Sequence, residues 1–330
     1  MKKGDRTYLV TGGCGFIGSY VIRDLLIDGA KVVAYDYRID RGIIDQVVGI
    51  EKLKDVTIVQ SDITDFIQLI SLIKAHQVSR IIHLASPNTW IAEKNPPLGF
   101  DMMCKGMLNI LEAARILEVE KVVWASSIAV FGPPGRYPPG KIRNDAPHWP
   151  DSLYGACKSM NEYLATYYAD KFGVDSIGLR YTVVYGPGKA GSKSAFATEM
   201  IRRAALGEAY EVPFGDETLD WEYVEDISRL TVAASQAKRT ETRVFNTRGD
   251  LRPVKMAMEY LKRLLPDAQL IVKPGYYGIV LDLDTTLLER EVGFEPRYSM
   301  EEGILKTLNA FRSQAGLAEL GGKKKGGRES

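Results

Sequence analysis

Cysteine is scarce in this chain: there are three in 330 residues, Cys14, Cys104 and Cys157. Their wide separation offers neither a disulfide framework nor the paired spacing of a metal site, so they read as reduced thiols. Long apolar runs are missing as well. None approaches the roughly 20 residues needed to span a bilayer. The first residues, Met1-Lys2-Lys3-Gly4-Asp5, pass straight into a strand pattern without a signal-peptide core. A cytoplasmic protein with no membrane partner is expected. An excess of either charge is also lacking, since 43 basic residues face 42 acidic ones for a net +1. That balance gives no reason to expect a nucleic-acid partner. No internal repeat is visible, and only the last stretch, Gly321 to Ser330, is compositionally biased. It has nothing apolar to bury and reads as a disordered tail over 318–330.

What remains is ordinary for a globular protein, with 45% hydrophobic and 26% charged residues. Its length suits one large α/β domain with a smaller appended lobe. Thr7 to Thr11 is a short β-prone run that stops at glycines and is followed by an amphipathic segment, Phe16 to Asp28. Strand, tight turn, helix is the setting in which a glycine run binds a dinucleotide. Gly12 permits the turn, Gly15 lets backbone approach a pyrophosphate, and Gly18 lets the helix lie close on the sheet. The helix N-terminus adds partial positive charge beside Phe16 and Ile17. A second strand, Lys31 to Tyr35, ends in Asp36, 18 positions after Gly18. A carboxylate at that distance accepts from both ribose hydroxyls and repels a 2′-phosphate, so NAD is favoured over NADP, with Arg38 and Arg41 nearby on the other side of the balance.

Further strands at 56–60 and 80–84, a helix at 65–76, a long helix at 98–118 and a fifth strand at 121–125 continue the alternation. This rhythm predicts a Rossmann doubly wound parallel sheet with right-handed crossovers, and ligands beyond its carboxyl edge. Asp62 and Ile63 then face the adenine, and Leu84, Ala85 and Ser86 the middle of the dinucleotide. Ser126 and Ser127 leave the fifth strand on the same edge, which turns Ser127 toward the nicotinamide end. Residues 132–151 are rich in proline and glycine and read as an irregular loop over the site. Ser152 or Asp151 can cap the helix that follows, which reaches about Lys171, and a sixth strand covers 175–180.

That helix carries Tyr154 and Lys158, four residues apart on one face. A free phenol titrates near about 10, and a neighbouring ammonium favours its ionised form, which would make a base of it. With Ser127 holding the substrate oxygen, the chemistry indicated is alcohol–ketone interconversion. Beyond Tyr185-Gly186-Pro187-Gly188 the alternation loosens. Helices are expected near 194–207, 225–237, 253–265 and 299–315, and short strands near 209–213, 243–247 and 269–273. The division that follows is an NAD-binding Rossmann domain over 1–185, carrying Ser127, Tyr154 and Lys158, and a smaller α/β, mainly substrate-binding lobe over 186–317.

In this order the motifs resemble the extended short-chain dehydrogenase/reductase family, especially its NAD-dependent nucleotide-sugar epimerase/dehydratase branch. The resemblance spans about Tyr8 to Phe311. It rests on Thr11 to Gly18, His83-Leu84-Ala85, Asn95-Pro96, Ser126 to Gly132, Tyr154 to Lys158, Arg180-Tyr181, Val184 to Pro187, Tyr223 to Asp226, and Gly293 to Pro296. It implies Tyr154 as acid/base, Lys158 on the nicotinamide ribose and shifting the tyrosine, Ser127 orienting substrate, and Ser126 against the cofactor. It also implies a homodimer through a four-helix bundle built from helices 102–118 and 155–171.

Three positions depart from that family's pattern. Val183 stands where an asparagine is usual, Leu219 where an arginine precedes the aspartate, and Met103 where the long helix usually has asparagine. Valine and leucine cannot donate to a diphosphate. Either Lys189, Lys193, Arg202 or Arg203 grips one, or the substrate lacks it. Three readings stay open: a dehydrogenase of a sugar-like or small polar alcohol, a nucleotide-sugar epimerase/dehydratase that keeps its NAD, and a non-catalytic NAD-binding scaffold.

Overall fold

The computed structural model describes residues 6–87, 89–278 and 282–321. Its centre is a seven-stranded sheet made from β1 (Thr7–Thr11), β2 (Lys31–Asp36), β3 (Val56–Gln60), β4 (Arg80–His83), β5 (Lys121–Ser127), β6 (Ser176–Tyr181) and a later strand, Val244–Asn246. The spatial order runs β3-β2-β1-β4-β5-β6 and then Val244–Asn246, with every pair parallel. The order reverses between β1 and β4, which opens a crevice at their carboxyl ends. Alternation along the strands feeds two cores. Tyr8, Val10, Val32 and Ala34 face one side, while Leu9, Val33 and Tyr35 face the other.

Around the sheet lie α1 (Phe16–Ile27), α2 (Arg41–Val48), α3 (Phe66–Ala75), α4 (Thr89–Lys94), α5 (Pro96–Phe100), α6 (Gly106–Ile116) and α7 (Leu153–Phe172). The helix expected over 98–118 is not one regular helix. A π-helical turn, Asp101–Lys105, separates α5 from α6 and carries Met103. Such one-turn insertions are frequent beside functional sites. Asn161 of α7 donates to the Met103 carbonyl at 3.2 Å, fixing this turn on the helix that carries Tyr154. Cys104 of the same turn lies against Cys157 of α7, its Sγ 3.9 Å from the Cys157 carbonyl, so two thiols far apart in sequence share one apolar cluster.

The remaining elements are β7 (Val183–Tyr185), α8 (Phe196–Ala205), β8 (Tyr210–Pro213), β9 (Thr218–Tyr223), α9 (Val224–Gln236), β10 (Val244–Asn246), β11 (Asp250–Pro253), α10 (Val254–Leu264), β12 (Leu270–Lys273), α11 (Thr286–Val292) and α12 (Met300–Gln314). They form a three-stranded sheet β11-β9-β7 and a β12-β8 pair. From beyond the boundary expected at 185, β10 returns to the central sheet beside β6. α9 also packs on α1, where Ser228 donates to Asp24 at 2.6 Å and Arg23 reaches Glu225 at 3.3 Å. Of the expected tail, residues 322–330 lie outside the described residues. Among the described residues no helix is long and apolar enough to cross a membrane.

Candidate functional site

The cleft at the sheet's carboxyl edge has a volume of about 720 Å³ and brings the sequence-predicted residues together. Gly12, Gly15, Phe16, Ile17, Gly18, Asp36, Asp62, Ile63, Leu84, Ala85, Ser86, Ser126, Ser127, Tyr154 and Lys158 all line it. At its base the turn after β1 depends on missing side chains. Gly12 adopts φ +69°, and a Cβ on Gly18 would fall 2.1 Å from the Gly12 carbonyl oxygen. No side chain caps α1, so the amides of its first turn are left to a ligand. Uncapped amides, a glycine cradle and a carboxylate at the end of β2 fit a dinucleotide.

Asp36 is half-buried, and burial pushes its carboxyl above the usual range against backbone hydrogen bonds from Arg38 and Cys14. The Cys14 amide donates to Oδ2 at 3.1 Å and the Arg38 amide to Oδ1 at 3.3 Å. Neither arginine near it is free to recruit a 2′-phosphate without leaving a partner. Arg38 pairs with Asp40 at 3.1 Å, and Arg41 with Asp45 at 2.8 Å. Asp62 uses Oδ1 to accept from the Thr64 amide and hydroxyl, both at 2.8 Å, and the Ile63 carbonyl accepts from Asn109 at 2.9 Å. These contacts hold the β3 loop as the cleft wall. Asn109 went unnoticed in the sequence, where an asparagine inside a helix carries no signal of its own. His83 is fully inside, hydrogen-bonded to Thr11 Oγ1 at 2.7 Å, and burial drives it down to about 3. It is a neutral support for the β1 end.

The upper part of the cleft is set by α7. Ser152, not Asp151, caps this helix, accepting from the Gly155 amide at 3.1 Å. A Cβ on Gly155 would lie 2.4 Å from the Ala129 carbonyl oxygen, so the helix approaches the turn at 128–130 as closely as backbone allows. That approach brings Tyr154 into the cleft that Ser127 also lines. Ser127 Oγ also accepts from the Ala129 amide at 3.2 Å.

Burial is the largest influence on the Tyr154 phenol. Burial pushes Tyr154 up to about 12, and the group pulling it down is Ser127 through its hydrogen bond. The Lys158 ammonium stands 5.5 Å from the Tyr154 ring centroid and donates to the Ala125 carbonyl at 2.7 Å. Burial lowers Lys158 itself to about 8.

Ser126 has a second engagement. Although it lines the cleft, its hydroxyl donates at 2.6 Å to Glu162, which is gripped by Arg180 at 2.9 and 2.7 Å. Arg180 reaches on to the Asn144 carbonyl and Asn246, both at 2.8 Å. This buried network ties the end of β5 to α7, β6 and β10. Glu162 was missed, though its place four residues after Lys158, on the same helix face, was a usable signal.

The four cations offered as diphosphate ligands separate clearly. Arg202 and Arg203 are paired with Glu199 at 2.8 and 2.6 Å and lie away from the cleft. Lys193 donates to the Tyr277 carbonyl at 2.9 Å. Lys189 lines the cleft over the Phe16 ring, 5.5 Å from its centroid. Val183 lines the cleft as well, whereas Leu219 is fully inside the core.

Against known proteins, the sequence model of the NAD dependent epimerase/dehydratase family matches residues 8–247. A UDP-glucuronate 4-epimerase from Thermodesulfobacterium geofontis is 30% identical over 92% of this chain and 95% of its own length. Among solved structures, the UDP-glucose 4-epimerase of Thermotoga maritima with UDP-glucose superposes with a TM-score of 0.82 at 26% identity, covering 94% of this chain and 99% of that one. The Thermus thermophilus UDP-glucose 4-epimerase complex with NAD gives 0.78 at 25% identity, over 93% and 99%. An L-threonine dehydrogenase from Cupriavidus necator shares the fold, with a TM-score of 0.82 at 24% identity over 92% and 98%. Matched along most of its length, this chain belongs to the NAD dependent epimerase/dehydratase family, within the extended short-chain dehydrogenases/reductases, and is an NAD-dependent enzyme.

Proposed function

We propose that the protein moves a hydride between NAD and a secondary alcohol carbon of a sugar-like or small polar substrate, with Ser127, Tyr154 and Lys158 as its catalytic residues. The observation that carries this reading is the convergence of Ser127, Tyr154 and Lys158 on the cleft that also holds the uncapped glycine turn. Asp36 would hold the adenosine ribose, and the backbone at Gly12, Gly15, Phe16, Ile17 and Gly18 the pyrophosphate. When bound, NAD supplies the hydride acceptor and a positively charged ring.

Ser127 then holds the substrate hydroxyl by its oxygen. The Tyr154 phenolate takes that hydroxyl's proton while the carbon–hydrogen electron pair departs, and the phenol returns the proton in the reverse direction. Burial opposes the phenolate, and the Lys158 ammonium, 5.5 Å from the Tyr154 ring centroid, would offset part of that cost. The Ala125 carbonyl keeps the ammonium in place.

A second reading is a UDP-sugar 4-epimerase with no net redox change, favoured by the full-length likeness to the Thermodesulfobacterium enzyme. Val183 and Leu219, which offer no donor where diphosphate ligands are usual, favour release of an oxidised product. The test is incubation with NAD and a panel of free sugars, sugar acids and nucleotide sugars. Net NADH absorbance selects the dehydrogenase; inverted stereochemistry without it selects the epimerase. Silence across the panel counts against both.

A second copy of the chain is proposed as partner. On α7, Met160, Tyr163 and Tyr167 are 46%, 66% and 42% exposed, and no charged residue is exposed between Ala156 and Tyr167. Aromatic enrichment with depleted charge is the composition of an interface core.

A further inference from the structure

The loop between β7 and α8 forms one wall of the cleft through Lys189, Ser192, Lys193 and Ser194. It is fastened to the other half of the molecule, since the Tyr20 hydroxyl donates to the Pro187 carbonyl at 3.1 Å. Lys189 is therefore held at the cleft and does not swing freely in solvent. Among the described residues no carboxylate comes within ion-pair distance of it, and its recorded neighbour is the face of Phe16. Every other cation raised as a diphosphate ligand is already engaged, as described above. Burial alone acts on the ammonium, lowering it to about 8. Removing a cation from water without an anion is costly, and such groups in a cleft are associated with ligand sites.

Resting on the proposed hydride transfer, and narrowing its substrate class, we propose that Lys189 binds an anionic group, a phosphate or a carboxylate, carried by the substrate. It would supply from the loop the positive charge that Val183 and Leu219 cannot. The dinucleotide's own pyrophosphate is the other anion within the same cleft. The uncapped amides of α1 would serve that group, and Lys189 stands over the Phe16 ring at the same helix end, so NAD affinity is read beside probe affinity to tell the two anions apart.

The test is calorimetric titration of the NAD-loaded protein with glucose 6-phosphate, glucuronate and UDP-glucuronate, and with glucose as the neutral control. At least one anionic probe should bind more tightly than glucose. Lys189→Met should weaken that probe about tenfold or more, the scale of one lost charge-assisted hydrogen bond. Lys189→Arg should retain most of the affinity, and NAD binding should change less than about twofold in both variants. The proposal is overturned if glucose binds as well as the anions, if Lys189→Met leaves probe binding unchanged, or if the loss falls on NAD instead. Should Lys189→Met fail to fold, the wild-type comparison of charged and neutral probes and the arginine variant still decide. Binding is read without turnover, so the anion site can fail while hydride transfer stands, and the reverse.

Discussion

Tyr154 is subject to opposed forces that its spacing from Lys158 does not reveal. The same burial that shields the reaction from water raises the phenol to about 12 and lowers the ammonium beside it to about 8. Alcohol oxidation needs the phenolate, so its rate should climb as pH rises toward the phenol's value, while ketone reduction, which needs the phenol, should not gain from alkali. Tyr154→Phe keeps the ring and removes the ionisable oxygen. Turnover should fall by roughly two to four orders of magnitude, with NAD affinity, followed by fluorescence titration, within about a factor of two. Retained turnover would remove Tyr154 from the acid/base role. Asp36→Ala should do the opposite, weakening NAD by about tenfold through lost ribose hydrogen bonds while substrate saturated with excess cofactor still turns over.

Strand β9 carries two carboxyl groups inward, Asp220 and Glu222, both fully buried and both pushed above the ordinary carboxyl range by desolvation. The Thr247 hydroxyl lies between two acceptors, the Arg180 carbonyl at 2.8 Å and Glu222 Oε1 at 2.5 Å. Oε2 accepts from the Thr182 amide at 2.8 Å, which steadies the strand connection lining the cleft. A raised carboxyl pKa means the folded state holds a proton that the unfolded chain releases above about pH 4 to 5. Stability therefore declines as pH rises from there through the raised value. Glu222→Gln reproduces the protonated acid, with an amide donor toward Thr247 and an oxygen toward Thr182. Its thermal midpoint should fall less between pH 5 and pH 9 than that of the wild type; equal slopes would refute a buried neutral Glu222.

At this same scale, elements with strong periodicity were legible in the sequence. The glycine turn, α1, β2 and the carboxyl edge of the central sheet follow from alternation and spacing, and α8, α9, α10 and α12 lie within two residues of where the pattern puts them. The π turn at Asp101–Lys105 could not be read, because one extra residue in a helical register leaves composition unchanged. β7, β9 and β11 are short strands whose pairing is long-range, and β10 looks no different in sequence from a strand of the outer lobe. The pairing of Arg202 and Arg203, the engagement of Lys193 and the isolation of Lys189 arise only in the folded chain.

For the whole molecule, α7 couples two faces. Its inner face brings Tyr154 and Lys158 to the cleft, while its outer face presents Met160, Tyr163 and Tyr167 to solvent, with the two tyrosine rings stacked at 6.4 Å between centroids. Phe100 at 49% and Leu108 at 40% exposure continue the apolar surface onto α5 and α6. Twofold association through this surface would pair α6 and α7 with their copies as four helices and leave both clefts open, because the cleft-facing and outward-facing residues of α7 are different ones. Tyr163→Glu with Tyr167→Glu would place like charges on both sides of such an interface, a cost of several kcal/mol when desolvated. Sedimentation velocity should show the wild type at twice the chain mass and the double variant at the chain mass, with NAD affinity unchanged since neither side chain lines the cleft. A double variant that still sediments as a dimer would place the contact elsewhere. A wild type that sediments as a single chain at micromolar concentration would leave this face without a second copy as its partner.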